Sequence, residues 1–596
     1  MNNSKLITKL TPKFTVDESK IQIFDIETVV IGKKLYPYAI GILAGDNMKI
    51  FYIMDYYKND FILASEAMIQ DFIDHLDNIN KNSTLFAHNL GSFDGYFILN
   101  KLLSKNPQLL IDEQNSLITI KYKNNKIKTI NFKDSYRIFP LSLANLSDIY
   151  DVKNKKSDFD HKSVTTNIII NNTNNFKNSL IFYLSNDLRS LQEIILKASK
   201  YLLTNYNVSL LDVYSTSSLA MKIFRTKFMN FDIPILPKFY DKILRKSYKG
   251  GVVNIIKPFG KNLYYYDVNS LYPWAMKQVM PGQFVKTHYG KNININNFFG
   301  FIYAQIIVPK GTKVPFASTR RNSLISPVGK WVDLYFSEEV KKFIEWGYKV
   351  TPIVAFEHEK IKPFDSYIDH FYHIKKTTEG GERMINKLML NGLYGYFGRK
   401  LVEQVVEVIL QDQVDWFMTR FKTHFIFSLP NSDNFIIKRD IKPSKEYCEE
   451  FGINYKELLD SSKEPFKVKS NVAIASAITA YSRIRIHSLI EKSGANLYYI
   501  DTDSMIIDKP LSPELISDEL GDLKDELKGG VIDLAYFIAP KVYALKINNK
   551  IEPIIKAKSI KKGLIKFDHF SDLYAGEIKK YPVTRLFKDL ETLSIF

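Results

Sequence analysis

The chain has a single cysteine, Cys448, among its 596 residues. One thiol cannot close a disulfide within the chain, and it cannot supply the cysteine set of a zinc ribbon. Any catalytic metal must then rest mainly on carboxylates, which favours Mg²⁺ or Mn²⁺. No run of about eighteen apolar residues occurs, so no helical membrane span is expected. The opening stretch MNNSKLITKLTPKF has no secretory apolar region, and without arginine it makes a poor transit peptide. No repeat of fixed period and no sustained low-complexity tract interrupts the chain. Acid is scarce relative to base: 64 Asp and Glu against 82 Lys and Arg leave a net charge of +18. That excess suits a polyanionic partner, because each neutralised phosphate releases condensed counterions. An AT-rich genome, whose codons favour Lys, Asn and Ile, would produce the same excess. Charge admits nucleic acid and does no more.

A chain this long exceeds what one hydrophobic core supports, so two or more domains are expected. Residues 1–205 alternate short strands with helices, an α/β pattern. Strands are predicted at Ile21–Ile26, Lys49–Ile53, Thr84–Ala87 and Ile118–Tyr122. The Asn-rich stretch 165–176 reads as a surface loop, and 177–203 carries helical periodicity that closes the first domain. A second block follows from 206, with a polar connection at 286–298 and a long Lys/Asp/Ser-rich region at 430–470.

Acids recur in two sets. In the first, IFDIE puts Asp25 and Glu27 two apart on a strand, so both project from one face while Phe24 and Ile26 take the other. FAHNLGSFDGYFI adds Asp94 after a short apolar strand, with Asn89 and Phe93 beside it. YLSNDLRSL adds Tyr183 and Asp187, four apart on one helix face. Each alone is commonly a solvated surface feature. As a set they suit divalent cations, which relieve the mutual repulsion of clustered carboxylates.

In the second set, LYYYDVNSLYPWAM delivers Asp267 to a strand end, followed by a turn and a helix starting near Pro273. LYYIDTDSMII has apolar runs flanking an acidic turn, a hairpin with Asp501 and Asp503 at its tip. Between them, KLMLNGLYGYFGRK reads as a helix. Ile385, Leu388, Met389 and Gly392 trace its packed stripe, and Arg383, Lys387, Asn391 and Tyr394 share another face. HIKKTTEG precedes it, with Lys375 and Lys376 both in reach of an anion there.

The order D-x-E, HN-x-x-x-FD, Y-x-x-x-D resembles the three exonuclease motifs of the family B DNA polymerases. DVNSLYP, KLMLNGLYG and YIDTDS resemble the polymerase motifs A, B and C. SYKGGV and PKVYALK resemble two shorter elements of the same family. The wording NLYYYDVNSLYP and KLMLNGLYGYFG is most similar to the protein-primed branch, found in phages and mitochondrial linear plasmids. The resemblance spans roughly residues 21 to 570.

That resemblance implies a multi-domain α/β and α+β fold. A ribonuclease H-like exonuclease domain (1–205) precedes a right-hand palm, fingers and thumb polymerase domain (206–596), with inserts near 305–360 and 400–470. It implies two Mg²⁺ or Mn²⁺ ions per active site, on Asp25, Glu27, Asp94 and Asp187 in one and on Asp267 and Asp503 in the other, with Asp501 alongside. Tyr183 would orient the attacking water, and Asn89 and Phe93 would hold an unpaired 3′ end. Ser142 and Leu143 would contact single strands, and Lys156 is a candidate for the exonuclease lysine. Tyr272 would stack beneath the incoming sugar; Lys387, Asn391, Tyr394 and either Lys375 or Lys376 would complete the nucleotide site. Tyr248, Gly250 and Gly251 would grip the template, and Lys541 and Tyr543 the primer terminus.

The implied function is a DNA-directed DNA polymerase with 3′→5′ proofreading, acting as a monomer on template, primer and dNTPs and replicating a linear DNA element. The first motif begins about twenty residues in, so a terminal protein that primes synthesis is expected as a separate chain or a processed partner. Only 53 residues follow Tyr543, so a small thumb is expected. A mitochondrial location is expected, with a phage-encoded enzyme in a bacterial cytoplasm as the alternative. Two rival functions remain: a nuclease with a non-functional polymerase half, and a DNA-binding replication protein.

Overall fold

The structure, a computed structural model, describes residues 6–112, 116–155, 159–161, 163–171, 173–290, 293–400, 404–428, 433–455, 469–548, 550–561, 563–581, 587–589 and 594–595. The fold is multi-domain, α/β in its first part and α+β in its second.

The first part is built on seven strands in the order Asn47–Tyr52, Lys34–Ala44, Ile21–Ile31, Ser83–Ala87, Thr129–Asp134, Leu117–Lys123, Gln108–Ile111. Ser83–Ala87 pairs parallel with both Ile21–Ile31 and Thr129–Asp134, and the remaining pairings are antiparallel. Parallel neighbours need a crossover, and helix Phe61–Asp77, capped by Asp60, supplies the first. Each of the four predicted strands lies within or overlaps an observed one.

A 33-residue helix, Asn174–Tyr206, lies across this sheet. It starts where the Thr173 side chain accepts from the Phe176 amide and stops at Asn207, whose φ of 54° is left-handed. Its close approach depends on Gly41, which pairs with Asp25 in the adjacent strands. A Cβ there would stand 2.6 Å from Leu188 Cδ1 and 3.1 Å from Leu184. Glycine thus lets the helix settle onto the sheet directly beside the acidic strand.

The loop expected at 165–176 is corrected. Thr166–Asn171 forms a short helix that buries Ile169, and the long helix already begins at Asn174. Thr165 and Thr173 there accept from the Ile168 and Phe176 amides as helix starts, which is the other use of short polar side chains. The polar connection expected at 286–298 is shorter than predicted, because strand Met280–Tyr289 runs through its first four residues.

The second part centres on five antiparallel strands in the order Val253–Ile255, Leu497–Asp501, Ser504–Ile507, Tyr264–Val268, Leu523–Asp525. Helix Val472–Ser493, apolar on nearly every side and mostly buried, packs behind it. Helices Asp365–Thr377 and Gly380–Phe397 rise beside this sheet. A four-stranded sheet (Met280–Tyr289, Lys349–Ile361, Gly300–Val308, Gly329–Phe336) and a three-stranded sheet (Gln404–Leu410, Asn434–Pro443, Phe421–Ser428) flank it. One buried apolar cluster continues from Ile23 and Leu188 through Phe224 to Leu393 and Ala480, so the two parts share a core. No helix among the described residues is long and apolar enough to cross a membrane.

Candidate active sites

In the first part, three elements bring the acids together. Asp25 and Glu27 stand mid-strand, Glu27 buried and Asp25 half-buried. Asp94 opens helix Asp94–Leu102 and is 1% exposed. Burial, then the neighbouring Asp25 carboxylate, pushes Asp94 well above the usual carboxylate range. Its Oδ1 is buried with no hydrogen-bond partner among the described residues. The long helix contributes Tyr183 and Asp187, both buried. Burial raises the Tyr183 phenol above its ordinary range, and Glu27, Asp187 and Asp25 add to it.

Two residues the sequence did not single out complete this site. His161 Nδ1 lies 3.4 Å from Glu27 Oε2, and its ring meets Tyr183 edge-on at 5.1 Å. Asp134, at a strand end, accepts from the Asn89 and Gly91 amides at 3.0 Å each and so fixes the loop before Asp94. The signal was available: an acid closing an alternating strand, as at Asp267. Asn89 itself is left-handed (φ 84°), and Phe93 is half-buried against Phe97. A cavity of about 360 Å³ opens beside Asn89, lined also by Tyr136, Arg137 and Thr216. Ser142 is exposed, but its hydroxyl accepts from the Asn145 amide as a helix cap, and Leu143 is buried. Lys156 lies outside the described residues.

In the second part, Asp267 pairs in register with Ser504 on one side and Lys524 on the other. The hairpin tip turns at Thr502 (φ 63°), and the Val268 amide donates to the Asp503 carbonyl at 2.7 Å. Burial first, then the Asp503 carboxylate, pushes Asp267 up to about 7. Burial also raises Asp503, with Asp501 adding to the shift. Two ammonium groups supply compensating charge: Lys524 Nζ is 3.4 Å from Asp267, and Lys541 Nζ bonds both Asp501 oxygens at 2.7 and 2.8 Å. Tyr543 is buried under the hairpin against Tyr499.

Arg383, Lys387 and Asn391 are exposed along one face of helix Gly380–Phe397, which packs against helix Leu271–Met276 that follows Asp267. Lys375 Nζ donates to Ser270 Oγ at 3.2 Å, in the turn after Asp267, whereas Lys376 pairs with Glu519 at 3.0 Å. Burial lowers Lys375, and Lys387, Lys524, Arg383 and Lys376 lower it further, so five cations converge. Tyr272 and Tyr394 stack, and the Tyr248 ring packs against Gly398 at the end of the same helix. Gly251 abuts the Thr502 side chain, leaving no room for a Cβ. Arg483, almost fully buried, donates to the carbonyls of Lys249 and Gly250 at 2.6 and 3.0 Å and to Glu339 at 2.8 Å. Sequence reading passed over Arg483 because it lies in a helix whose apolar residues show no single face.

Both acid sets offer hard carboxylate oxygens, and the orphaned, buried Asp94 Oδ1 is the kind of donor a cation satisfies. Among the described residues, no three His, Cys, Asp or Glu side chains meet closely enough to hold an ion. The fit to a divalent cation therefore rests on donor chemistry and mutual electrostatics.

The fold is shared with a phage enzyme. A solved structure of Phi29 DNA polymerase complexed with primer-template DNA superposes with a TM-score of 0.69 at 18% identity, covering 92% of this chain and 95% of that one. The chain belongs to the family described as DNA polymerase type B, organellar and viral, whose model matches residues 76–175 and 166–495. A protein described as "Probable DNA polymerase" from Podospora anserina is 29% identical across 94% of this chain and 54% of its own length. A "Probable DNA polymerase" from Neurospora intermedia is 30% identical across 83% of this chain and 56% of its own. The chain thus spans about half the length of these curated relatives.

Proposed function

We propose that this chain is a DNA-directed DNA polymerase with a 3′→5′ proofreading exonuclease. One observation carries the reading. Asp267 and Asp503 stand together at adjacent strand ends, joined through Lys524 to a cluster of cations and close to a stacked tyrosine pair. Acids to hold metal, cations to meet a triphosphate and a ring to meet a sugar are what nucleotidyl transfer needs at one place.

In the polymerase site a primer 3′-oxygen attacks the α-phosphorus of a dNTP, and pyrophosphate leaves. Lys375, Lys387 and Arg383 would hold the triphosphate, with Lys375 aimed at the turn after Asp267 and Lys376 turned to Glu519. Asn391 and Tyr394 would line the nucleotide, and Tyr272 would exclude a 2′-hydroxyl. Tyr248, Gly250 and Gly251 would follow the template, held by Arg483; Lys541 and Tyr543 would steady the primer end. In the exonuclease site Tyr183 would orient water, and Asn89 and Phe93 would hold the frayed strand by polar contact and stacking. Two Mg²⁺ or Mn²⁺ ions at each site, on Asp267 and Asp503 or on Asp25, Glu27, Asp94 and Asp187, would supply Lewis-acid stabilisation of the charged phosphoryl centre.

Residues 1–205 form the exonuclease domain in this reading and 206–596 the polymerase domain. The inserts near 305–360 and 400–470 would then take in strands Gly329–Phe336 and Lys349–Ile361 and the sheet of Gln404–Leu410, Phe421–Ser428 and Asn434–Pro443. We extend the reading to starts on the hydroxyl of a terminal protein, for a linear DNA element in a mitochondrion. The organellar and viral family and its fungal members support that extension.

The test is extension of a primed template by the chain with dNTPs and Mg²⁺, alongside degradation of a mismatched 3′ end. Degradation without extension would leave a nuclease, and DNA retention with neither activity a replication scaffold. For priming, labelled dNTP should become covalently attached to the candidate terminal protein on origin-end DNA. Replicon ends without attached protein would exclude it.

A further inference from the structure

Helix Gly380–Phe397 is fastened to the first part of the molecule by a buried polar knot. Asn386, fully buried, follows Glu382 by one turn and precedes Lys387 by one residue. Its Oδ1 accepts from the Tyr206 hydroxyl at 2.9 Å; its Nδ2 donates to the Tyr201 hydroxyl and to the Glu382 carbonyl, both at 2.7 Å. His370 Nε2, on the neighbouring helix Asp365–Thr377, lies 3.2 Å from the same Tyr206 hydroxyl. Both tyrosines belong to the last two turns of the long helix Asn174–Tyr206.

The start of helix Gly380–Phe397 presses on the same body. A Cβ on Gly380 would stand 2.9 Å from the Ile149 carbonyl, and one on Gly381 would stand 2.5 Å from the Tyr150 ring. Lys197 of the long helix donates to the Tyr150 carbonyl at 2.9 Å. Each contact removes freedom from the helix that presents Arg383, Lys387 and Asn391. The long helix is at the same time the carrier of Tyr183 and Asp187. From Asp187 to Tyr206 it spans about 28 Å at 1.5 Å per residue. One rod therefore bears acids of the first site at one end and the anchor of the nucleotide-facing helix at the other.

We propose that Asn386 is a positioning residue for nucleotide binding, setting the height of Lys387 over the polymerase acids by tying its helix to Tyr201 and Tyr206. The proposal rests on the polymerase reading above and adds a tie that acts from the exonuclease part. A buried Asn with three satisfied hydrogen bonds holds a single register, whereas an apolar residue of its size would let the helix slide along the tyrosine rings. Misplacement of about 1 Å at a substrate-holding group is enough to cost on the order of 100-fold.

The experiment compares wild type with Asn386→Leu, Tyr206→Phe and Asn386→Leu/Tyr206→Phe in primer extension, single-strand degradation and thermal melting. The expected result for Asn386→Leu is a rise of roughly tenfold or more in KM for dNTP, with kcat within about threefold and degradation of single strands unchanged. Tyr206→Phe should show a smaller rise in the same direction, and the double variant no more than Asn386→Leu alone, because both act through one bond. Asn386→Leu with wild-type KM, or effects that multiply in the double variant, would overturn the proposal while leaving the polymerase reading intact. Should Asn386→Leu melt early, Tyr206→Phe carries the test, since it removes one hydroxyl and keeps the ring. Absence of dNTP incorporation by wild type would overturn the polymerase reading and this proposal with it.

Discussion

Tyr272 and Tyr394 lie face to face, ring centroids 4.2 Å apart and planes inclined by 17°. One ring comes from the helix after Asp267 and the other from the helix that carries Lys387. Burial keeps both phenols above their ordinary range, with Tyr394 adding to the shift at Tyr272 and Tyr248 adding to it at Tyr394. In the proposed reading the pair would form the floor of the nucleotide site, and its size would set what sugar fits.

Replacing Tyr272 by Val should remove that floor. The expected outcome is a fall of roughly 10- to 100-fold in the preference for dNTP over rNTP, the scale of one lost packing contact. Single-nucleotide insertion kinetics with both substrates measure it. An unchanged ratio would assign the gate to another side chain.

Asp267→Ala and Asp503→Ala should each lower nucleotide incorporation by about 10³-fold or more, since several kcal/mol of charge stabilisation is withdrawn. Degradation of single-stranded DNA should persist in both. Loss of both activities together would mean misfolding or one shared site.

Asp25→Ala combined with Glu27→Ala should do the reverse. Degradation should fall by several orders of magnitude while incorporation continues, with more mismatches retained in the product. A wild-type chain that releases no nucleotide from a 3′ end would remove the exonuclease assignment.

Gly41→Val tests how the long helix positions Asp187. The added Cβ would overlap Leu188 and lift the helix from the sheet. Overpacking of this kind costs about 1–3 kcal/mol. Degradation should drop on the order of 100-fold, as expected for a shift near 1 Å. Incorporation should change less, and then chiefly in KM for dNTP, because Asp267 and Asp503 rest on another sheet while the far end of the same helix anchors helix Gly380–Phe397 through Tyr201 and Tyr206.

His487 gives the acid limb of the stability curve a defined slope. Burial first, then Arg483, pushes its imidazole down to about 3, and its Nε2 has no hydrogen-bond partner among the described residues. The unfolded chain protonates this group near 6.5, so between about 6.5 and 3 the unfolded state binds the extra proton. Stability should therefore fall as pH drops through that window, by up to about 1.4 kcal/mol per pH unit from this residue. His487→Phe keeps a ring beside Phe316 and should flatten that part of a melting-temperature series. An identical slope in the variant would assign the acid sensitivity to other groups.

The strand at Ile21, the acidic hairpin at 501–503 and the helix at 380–397 were all legible in the sequence. Their signals are local: alternation, apolar flanks around a turn, and a face repeating every three or four residues. The stretch 165–176 reads as a loop because Asn and Thr favour loops and helix starts alike, and only the burial of Ile169 separates the two. His161, Asp134, Arg483 and Lys524 were missed for a different reason. Asp134 closes an alternating strand as Asp267 does, but the other three belong to no local pattern, and each of the four matters through a partner far away in the chain.

By itself, then, the sequence determined which side chains carry charge, which faces they share within an element, and the α/β pattern of residues 1–205. Those follow from fixed helix and strand periods. Tertiary structure alone decided that Lys375 turns to Ser270 while Lys376 turns to Glu519, although the two are adjacent. It also decided that Gly41 admits the long helix beside Asp25, and that Asn386 meets Tyr201 and Tyr206 from about 180 residues away. Adjacent helical residues point about 100° apart. Which direction finds a partner depends on the packing of distant segments, and that is set by the whole core rather than by any window of sequence.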